Sequence, residues 1–438
     1  LHDALPIYLA ALDFSSASKI QGIAGIGLPQ THDNAGEFLL GNIKAQTALT
    51  IYGENCSAYL DGSITFDALR TQSTMSATSF ASDDGAFHLR LKEAWMDYDG
   101  GFWALRAGRQ ISAWGKADGL QVADVLCPKD ETCITASDYA DSRLGVDAIR
   151  LSLKGEALMC DAYWIPFFTP SSLPLAQNNP LKKTMIPKTI STGTAMIPVA
   201  DVTKDSFDIP SVSLSNSEAA LRLAAFFSFA DFSIYGFYGH DREPLLDYAL
   251  ALDAQSNPQA LSISGTYERM LMFGADAAVP IKEIVLRFEA AFFPQRYFAA
   301  MAERQILGLD KTSRKNQLVA LAGFDWNSGG WTITSQYFLD ALLDGSENID
   351  RYSYMHQASL SLSKGFLQET LELSFSGLLG LNDFDSMISL KCKYSLTDQF
   401  AMTLGSDLFF CGPNKGKKGY YGAYEDLSCV YLQAEFNF

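Results

Sequence analysis

The sequence predicts an all-β fold: a transmembrane antiparallel up-and-down β-barrel of about 18 strands, with 16 as the other count, long external loops and short periplasmic turns. Apolar and polar residues alternate with a period of two along most of the chain. The alternating runs reach about 10 to 16 residues, which is enough to cross a bilayer at a tilt and longer than most strands of a soluble sandwich. Short and long connections also follow each other in turn, as in outer-membrane barrels.

The composition excludes three other classes of protein. With 50 acidic and 33 basic residues, the chain has a formal net charge of −17 and would be repelled by nucleic-acid phosphates. Its 48% of hydrophobic residues is too high for a disordered chain. No window approaches about 18 uncharged apolar residues, and even the apolar segment 219–230 contains Arg222, so a helical membrane protein is excluded.

The N-terminal residues 1–7 resemble the translation of a sequencing adapter, and a natural N-terminus is the alternative. We therefore expect a single barrel domain over residues 8–438, and we expect that a signal peptide was lost from the sequence. One strand is expected near residues 19–28, and seventeen more between Phe38 and Phe438.

The last strand shows the alternation most clearly, with polar residues between the positions of an apolar face. That face consists of Val430, Leu432, Ala434, Phe436 and Phe438. The same pattern recurs in residues 42–51, 284–292 and 388–394. In residues 284–292 the polar face carries Arg287 and Glu289, so these two side chains are expected to face a water-filled lumen.

The longer connections are expected on the external side, and one connection there, near residues 381–384, is short. The long ones are predicted at residues 70–86, 111–143, 167–217, 242–258, 298–313, 343–351 and 412–421. Loop 167–217 is rich in Ser, Thr and Pro, and we interpret it as one long external loop, with a linker between two domains as the alternative. Loop 111–143 carries charges of both signs and is the candidate constriction loop.

The strands before this loop carry charges that the alternation places in the lumen or on the lipid face. Arg106 alternates with Leu105 and Ala107, so it should face the lumen. Strict alternation would place Glu93 on the lipid face, where a charge costs about 2–4 kcal/mol near the bilayer midplane. We therefore predict a β-bulge near Lys92 that turns Glu93 inward.

Opposed carboxylates and guanidinium groups in a constriction would set up a transverse field that selects permeants by charge. The candidate constriction residues are Glu93, Arg106, Arg109, Asp118, Asp124, Asp141 and Arg143. The alternative is that the three arginines simply pair with Glu93, Asp118 and Asp141 to neutralise buried charge.

Cysteine and histidine residues indicate no metal or cofactor site, and no enzyme is expected. The seven cysteines are too scattered for a disulfide framework, although Cys127 could pair with Cys133, and Cys411 with Cys429. The five histidines are dispersed. A nucleophile elbow, a P-loop and an HExxH motif are all missing from the sequence.

Residues 91–151 carry a series of motifs that resembles a known family. The motifs read LKEAWMDY, LRAGRQISAWGKADG, VADV, CP and DSRLGVDAIRL. They resemble bacterial outer-membrane porin-like β-barrels grouped as a domain of unknown function. The C-terminal segment, with Leu432, Ala434, Phe436 and Phe438, resembles the signal that outer-membrane proteins present to the barrel assembly machinery. The resemblance implies an outer-membrane barrel in a Gram-negative-type envelope and says little about a substrate.

The expected function is a porin-like channel for passive diffusion of small solutes. Its acidic excess would give it a mild preference for cations if enough carboxylates line the lumen. The main alternative is a non-transporting surface or adhesin-type barrel that works through its external loops. An energised receptor with a plug domain and a soluble β-rich enzyme are weaker alternatives. Expected partners are outer-membrane lipid, the assembly machinery and small permeants, and the sequence leaves homo-oligomerisation open.

Overall fold

A computed structural model gives the fold of most of the chain. It describes residues 13–28, 35–72, 79–80, 85–117, 119–136, 139–186, 188–191, 196–253, 258–413 and 419–438. The adapter-like residues 1–7 and the candidate constriction residue Asp118 lie outside these ranges.

Eighteen antiparallel strands form one closed barrel, which confirms the predicted fold class and strand number. The strands are β1 Asp13–Gly27, β2 Phe38–Tyr52, β3 Cys56–Asp67, β4 Phe87–Asp99, β5 Trp103–Gln110, β6 Val146–Lys154, β7 Leu158–Ile165, β8 Glu218–Phe226, β9 Asp231–His240, β10 Arg269–Ile281, β11 Ile284–Ala299, β12 Thr312–Ser328, β13 Trp331–Leu342, β14 Tyr354–Phe366, β15 Leu371–Gly380, β16 Ser386–Ser395, β17 Phe400–Phe410 and β18 Cys429–Asn437. Each strand pairs with the next, and β1 closes the barrel against β18 with Lys19 opposite Asn437.

The alternation in the sequence separates an apolar outer face from an inner face that is largely polar. In β18, Leu432 and Phe436 are 47% and 40% exposed on the outside, whereas the inward-facing Tyr431 is 3% exposed. Large apolar side chains such as Phe273 and Leu404 are exposed in the same way on other strands. An aqueous protein would not leave so much apolar surface uncovered, and a bilayer would cover it.

Short turns gather at one end of the barrel and long loops at the other. The β4–β5 turn contains Gly100 and Gly101, and Gly101 needs its φ of +87°, which glycine adopts without a steric cost. Strands β7 and β8 pair directly, with Glu218 opposite Ile165, so residues 166–217 form a loop between neighbouring strands of one barrel.

The loop predicted at 242–258 and the strand after it differ from the structure. Residues Leu245–Leu252 and Pro258–Thr266 pair with each other as an external ribbon, and Phe207–Asp208 adds to it in parallel. The alternation of apolar and polar residues therefore continues through the ribbon. The ribbon strands, however, form hydrogen bonds with each other and not with the strands of the barrel. Period-two patterning reports a strand but not which partner it pairs with.

The remaining elements are short and lie in the loops. They are α1 Tyr139–Ser142, α2 Pro180–Met185, α3 Ala302–Ile306, the 3₁₀ helices Lys204–Ser206, Leu214–Asn216 and Gly422–Leu427, and the short strands Ser79–Phe80, Thr189–Ser191 and Met196–Pro198. Helix α2 begins with Asn179 as its cap, whose side chain accepts a hydrogen bond from the Leu181 amide at 2.8 Å. No helix among the described residues is long and apolar enough to cross a bilayer.

Candidate functional site in the lumen

Residues 111–145, which connect β5 to β6, fold into the barrel and pack on the inside of its wall. Trp114, Val122, Ala123 and Leu126 are each at most 4% exposed. They belong to an apolar cluster whose wall residues include Tyr163, Tyr235, Phe237, Met270, Met272, Ala291, Phe293, Val319, Leu321 and Phe338. The hydrophobic contact holds this loop, called here the inner loop, against one side of the lumen.

Glu289 of β11 fixes the inner loop through its backbone. Its carboxylate accepts hydrogen bonds from the amides of Lys116 at 2.6 Å, Ala117 at 2.8 Å and Ala123 at 2.7 Å. The neighbouring Arg287 donates to the Lys116 carbonyl at 3.0 Å. Hydrogen bonds to a buried carboxylate are stronger than neutral ones, so Glu289 is a strong polar anchor for residues 116–123 of the loop.

An aromatic contact completes the anchor. The Trp114 ring stacks on Tyr235 of β9 with 4.9 Å between ring centroids, and the Gly115 amide donates to the Tyr235 hydroxyl at 3.2 Å. Gly115 has a φ of +87°, and a Cβ at this position would collide with the Glu289 carboxylate. Glycine is therefore required where the loop meets the wall.

The predicted bulge in β4 is present. The register of β3 and β4 moves from Asp61 opposite Glu93 to Gly62 opposite Leu91, so Lys92 is the extra residue. Glu93 consequently accepts hydrogen bonds from the Trp95 indole at 3.2 Å and the inner-loop amide of Ile111 at 3.0 Å. It supports the start of the inner loop.

The candidate arginines on β5 bind carboxylates other than Glu93, Asp118 and Asp141. Arg106 binds Asp97 across the β4–β5 pair at 2.7 Å and lies 3.6 Å from the Trp95 ring centroid. Arg109 binds Asp147 of β6 in bidentate fashion, at 2.6 and 3.1 Å, and lines none of the lumen cavities described below. Strand register brings these partners together, and this register cannot be read from the order of residues along the chain.

Three more candidate charges, Asp124, Asp141 and Arg143, are also paired within or beside the inner loop. Arg143 binds the buried Asp124 at 2.7 Å, and the Trp114 amide donates to the same carboxylate at 3.2 Å. Asp141 binds Lys92, the bulge residue, at 3.1 Å. Among the described candidate residues, all except Glu93 thus form local ion pairs and are not gathered into one ring of opposed charges.

All seven cysteines are free thiols, so neither disulfide considered from the sequence is present. The thiol of Cys127 donates to the Ser112 carbonyl at 3.5 Å, and burial raises its pKa to about 12. Cys133 and Cys411 donate to other backbone carbonyls, each at 3.1 Å, and Cys429 is completely buried. Cys127 and Cys133 share a loop but do not form a disulfide, because each thiol donates to a different backbone carbonyl. The described residues also contain no cluster of His, Cys, Asp or Glu suited to hold a metal ion.

Two cavities lie beside the inner loop, on the side of the lumen away from Glu289. A cavity of about 720 Å³ lies between strands β13–β17 and the residues near Lys129 of the inner loop. A second cavity of about 360 Å³, bordered by β1–β4 and β15–β18, shares Asp130, Ser142, Ser374 and Lys391 with the first. Because they share these lining residues, the two cavities adjoin each other beside the inner loop.

Charges of both signs line the second cavity. Lys19 lies 3.7 Å from Glu435, and Arg90 binds Asp130 of the inner loop at 2.6 Å. Lys44 has no hydrogen-bond or ion-pair partner among the described residues. The alternation in the sequence is enough to predict that Lys19 and Lys44 face the lumen. It does not predict that they line the same cavity, because that depends on the closure of β1 against β18.

A further cavity of about 550 Å³ lies under the inner loop, toward the short turns. Its walls carry Arg150 and Arg222, neither of which was predicted from the sequence as a site residue. The opposite strand positions hold Tyr163 and Asp161. These residues lie too far apart in the chain for a local pattern to reveal the grouping.

A pair of buried carboxyl groups joins the inner loop to the external loop that follows β9. Glu131 and Glu243 are hydrogen-bonded through their side chains. Burial, together with the adjacent charge of Glu131, raises the pKa of Glu243 to about 8, and burial also raises the pKa of Glu131. Burial thus favours the protonated form of both carboxyl groups.

Comparisons with known proteins agree with this architecture. A family model described as "Protein of unknown function (DUF1302)" matches residues 31–408. Among solved structures, Pseudomonas aeruginosa OccK8 (OprE) has a TM-score of 0.55 at 8% identity, covering 97% of this chain and 98% of the other.

Two other solved structures give nearly the same result. Acinetobacter baumannii OccAB3 has a TM-score of 0.52 at 8% identity, covering 97% of this chain and 99% of the other. The outer membrane protein opdK from Pseudomonas aeruginosa has a TM-score of 0.51 at 7% identity, with the same coverage. No curated protein matches. At these identities the similarity shows a shared barrel fold.

Proposed function

The chain belongs to the DUF1302 family of proteins of unknown function, and we propose that it is an outer-membrane channel for passive diffusion of small solutes. The observation that carries the proposal is the pair of adjoining cavities between the inner loop and the wall from β13 around to β4. A barrel of this size leaves an aqueous lumen unless loops fill it. Here the inner loop reaches from Glu289 to β17, where the Ala136 amide donates to Asp407 at 2.5 Å, and the two cavities lie beside it.

The apolar outer face and the fold shared with solved outer-membrane barrels support location in the bacterial outer membrane. The C-terminal strand carries Leu432, Ala434, Phe436 and Phe438 on or next to its outward face, and we propose that the barrel assembly machinery recognises them. Homo-oligomerisation is compatible with this surface, since lipid and a second barrel both accept an apolar face. The proposed role involves no catalysis and no cofactor.

We propose that charge selectivity is weak, with a mild preference for cations. The net charge of −17 favours cations at the mouths of the channel. Inside the passage, however, lysines such as Lys44 and Lys391 stand near carboxylates such as Glu372 and Glu435. Mixed charges along a wide path reduce the discrimination that either sign alone would give.

The test is single-channel recording of the refolded barrel in a planar bilayer under a salt gradient. Stable current steps are expected, with a small reversal potential of the sign for cation preference. A reversal potential for anion preference would contradict the proposed selectivity. A folded, heat-modifiable barrel without current steps would contradict the channel itself.

The second candidate is a surface or adhesin-type barrel that works through its external loops. The exposure of Val212 and Leu214, at 76% and 81%, favours it because both are apolar side chains in the long loop 166–217. A folded barrel that conducts no ions but binds a surface through this loop would support this second candidate over the channel.

A further inference from the structure

We propose that the larger cavity of the passage binds uncharged amphipathic solutes: molecules with a hydroxylated head and a short apolar tail. The inference rests on the proposed channel function and names the solutes that the channel prefers. It is drawn from the arrangement of hydroxyl and apolar side chains in the cavity of about 720 Å³. This volume falls within the range of about 300–1,000 Å³ that is usual for small-molecule sites.

Hydroxyl side chains form two rows across adjacent strands of the wall. Because strand register is known, each row can be followed from β13 to β16: the first contains Thr334, Ser361, Ser376 and Ser389, and the second contains Thr332, Ser363 and Ser374 and ends at Lys391. All of these residues line the cavity. Neighbouring strands are about 4.8 Å apart, so a solute meets a new hydroxyl at each short step.

The two rows differ in how many of their hydrogen bonds are already made. In the first row, Thr334 donates to Asp325 at 2.8 Å, Ser389 donates to Asp407, and the hydroxyls of Ser361 and Ser376 lie 3.3 Å apart. The first row is therefore largely satisfied by the protein.

In the second row, the hydroxyls of Thr332, Ser363 and Ser374 have no hydrogen-bond partner among the described residues. Ser359, above the first row, is only 9% exposed, and its hydroxyl is also without a partner in the described chain. Thr332 is exposed to the cavity, and Ser363 and Ser374 are half-buried, so their hydroxyls are available to a solute that both donates and accepts hydrogen bonds.

Apolar side chains line the same cavity closer to the long-loop end. Leu181 and Met185 come from α2, and Ile134 comes from the inner loop. Leu378 and Met387 lie toward the long-loop ends of β15 and β16. The cavity is therefore apolar near its mouth and hydroxyl-lined deeper inside, which matches the polarity of a solute with a tail and a hydroxylated head.

The absence of fixed charge in the middle of the described rows favours an uncharged head group. A dehydrated ion there would lose water and gain only neutral hydroxyls, whereas a sugar-like head exchanges water for hydroxyl partners of similar strength. The charged residues of the cavity stand outside the middle of the rows: Lys391 and Asp407 on the wall, and Lys129, Asp130 and Glu131 on the inner loop.

Hexyl β-glucoside is a suitable probe because it combines a hydroxylated head with a short apolar tail. The full-length barrel is recorded in a planar bilayer while hexyl β-glucoside, glucose or hexanoate is added. Hexyl β-glucoside is expected to interrupt the current at lower concentration than glucose or hexanoate. Equal interruption by all three, or stronger interruption by hexanoate, would overturn the proposal.

Substitutions test whether the hydroxyl rows are responsible. The double variant Ser363→Ala and Ser374→Ala should weaken hexyl β-glucoside binding by about fivefold for each hydroxyl removed. Ser57→Ala is the matched control, since Ser57 lines the separate cavity under the inner loop. An unchanged affinity in the double variant, or an equal loss in the control, would contradict the assignment.

The apolar mouth is tested separately. Met185 is 52% exposed, so Met185→Gln should not disturb folding. It should weaken the binding of hexyl β-glucoside and leave glucose unchanged. Calorimetry measures the affinity of hexyl β-glucoside for the barrel in lipid nanodiscs, even if no current is seen. Binding without current would contradict the channel and keep the site, whereas current without preferential binding would contradict the site and keep the channel.

Discussion

Replacing Glu289 by alanine should release the inner loop from the wall and increase the conductance of the barrel. The Glu289 carboxylate is 3% exposed and holds the amides of Lys116, Ala117 and Ala123. Without the Glu289 carboxylate, these three amides lie beside an apolar cluster with no acceptor. They must then bind water or move away from the wall. The loop segment that narrows one side of the lumen would then become mobile.

The size of the effect follows from those three hydrogen bonds. A hydrogen bond to a charged group contributes about 1.5–3 kcal/mol, so three contribute roughly 5–9 kcal/mol before water replaces any of them. The stacking of Trp114 on Tyr235 and the apolar cluster remain, and they continue to hold part of the loop. Glu289→Gln keeps one acceptor oxygen and should have a smaller effect than Glu289→Ala.

Single-channel recording measures the result as a larger mean conductance and greater current noise. The matched control is Glu372→Ala, because Glu372 lines the passage and has no hydrogen bond to the inner loop. Removal of either carboxylate changes the lumen charge equally, so only Glu289→Ala should increase the noise. Equal conductance and noise in the two variants would refute the anchoring role of Glu289.

Three further predictions concern the loops, the thiols and the C-terminus. The carboxyl pair of Glu131 and Glu243 has a raised pKa in the folded protein, so its stabilising contact is present at low pH and is lost as the pH rises through about 8. Current noise should therefore increase above that pH. The variant Glu243→Gln should remove this increase. A membrane-impermeant maleimide should label the exposed Cys56 rapidly and the buried Cys127 only after denaturation, and equal labelling rates would contradict the thiol assignments. Phe438→Ala should lower the yield of assembled barrel in outer membranes without lowering the stability of barrel refolded in detergent, and a normal yield would contradict the proposed assembly signal.

The barrel was predictable from the sequence because the alternation of apolar and polar residues depends only on neighbouring residues in one strand. Lipid on one side and water on the other impose a period of two, and residues such as Phe436 and Glu435 show their faces without knowledge of any partner strand. The bulge at Lys92 was predictable for the same reason, since Glu93 would otherwise be a charge in lipid. The start of β1 at Asp13 and the external ribbon after β9 were missed, because alternation does not reveal where pairing begins or which strand is the partner.

The site depended on contacts between distant segments, and the sequence predicted it only in part. The inner loop was identified by its length and charge, but its anchor Glu289 lies far along the chain. Alternation did place Glu289 in the lumen; nothing local indicated that three loop amides would meet it. The same limitation applies to Arg106, whose partner Asp97 is set by the register of β4 and β5.

The central claim is that the passage beside the inner loop is open and that Glu289 holds the loop at its edge. Single-channel conductance of the refolded wild-type barrel and of Glu289→Ala, recorded in the same bilayer under a salt gradient, tests it most directly. We expect stable current steps from the wild-type protein and larger, noisier steps from the variant. A folded wild-type barrel that passes no current would contradict the claim, because the lumen would then be closed.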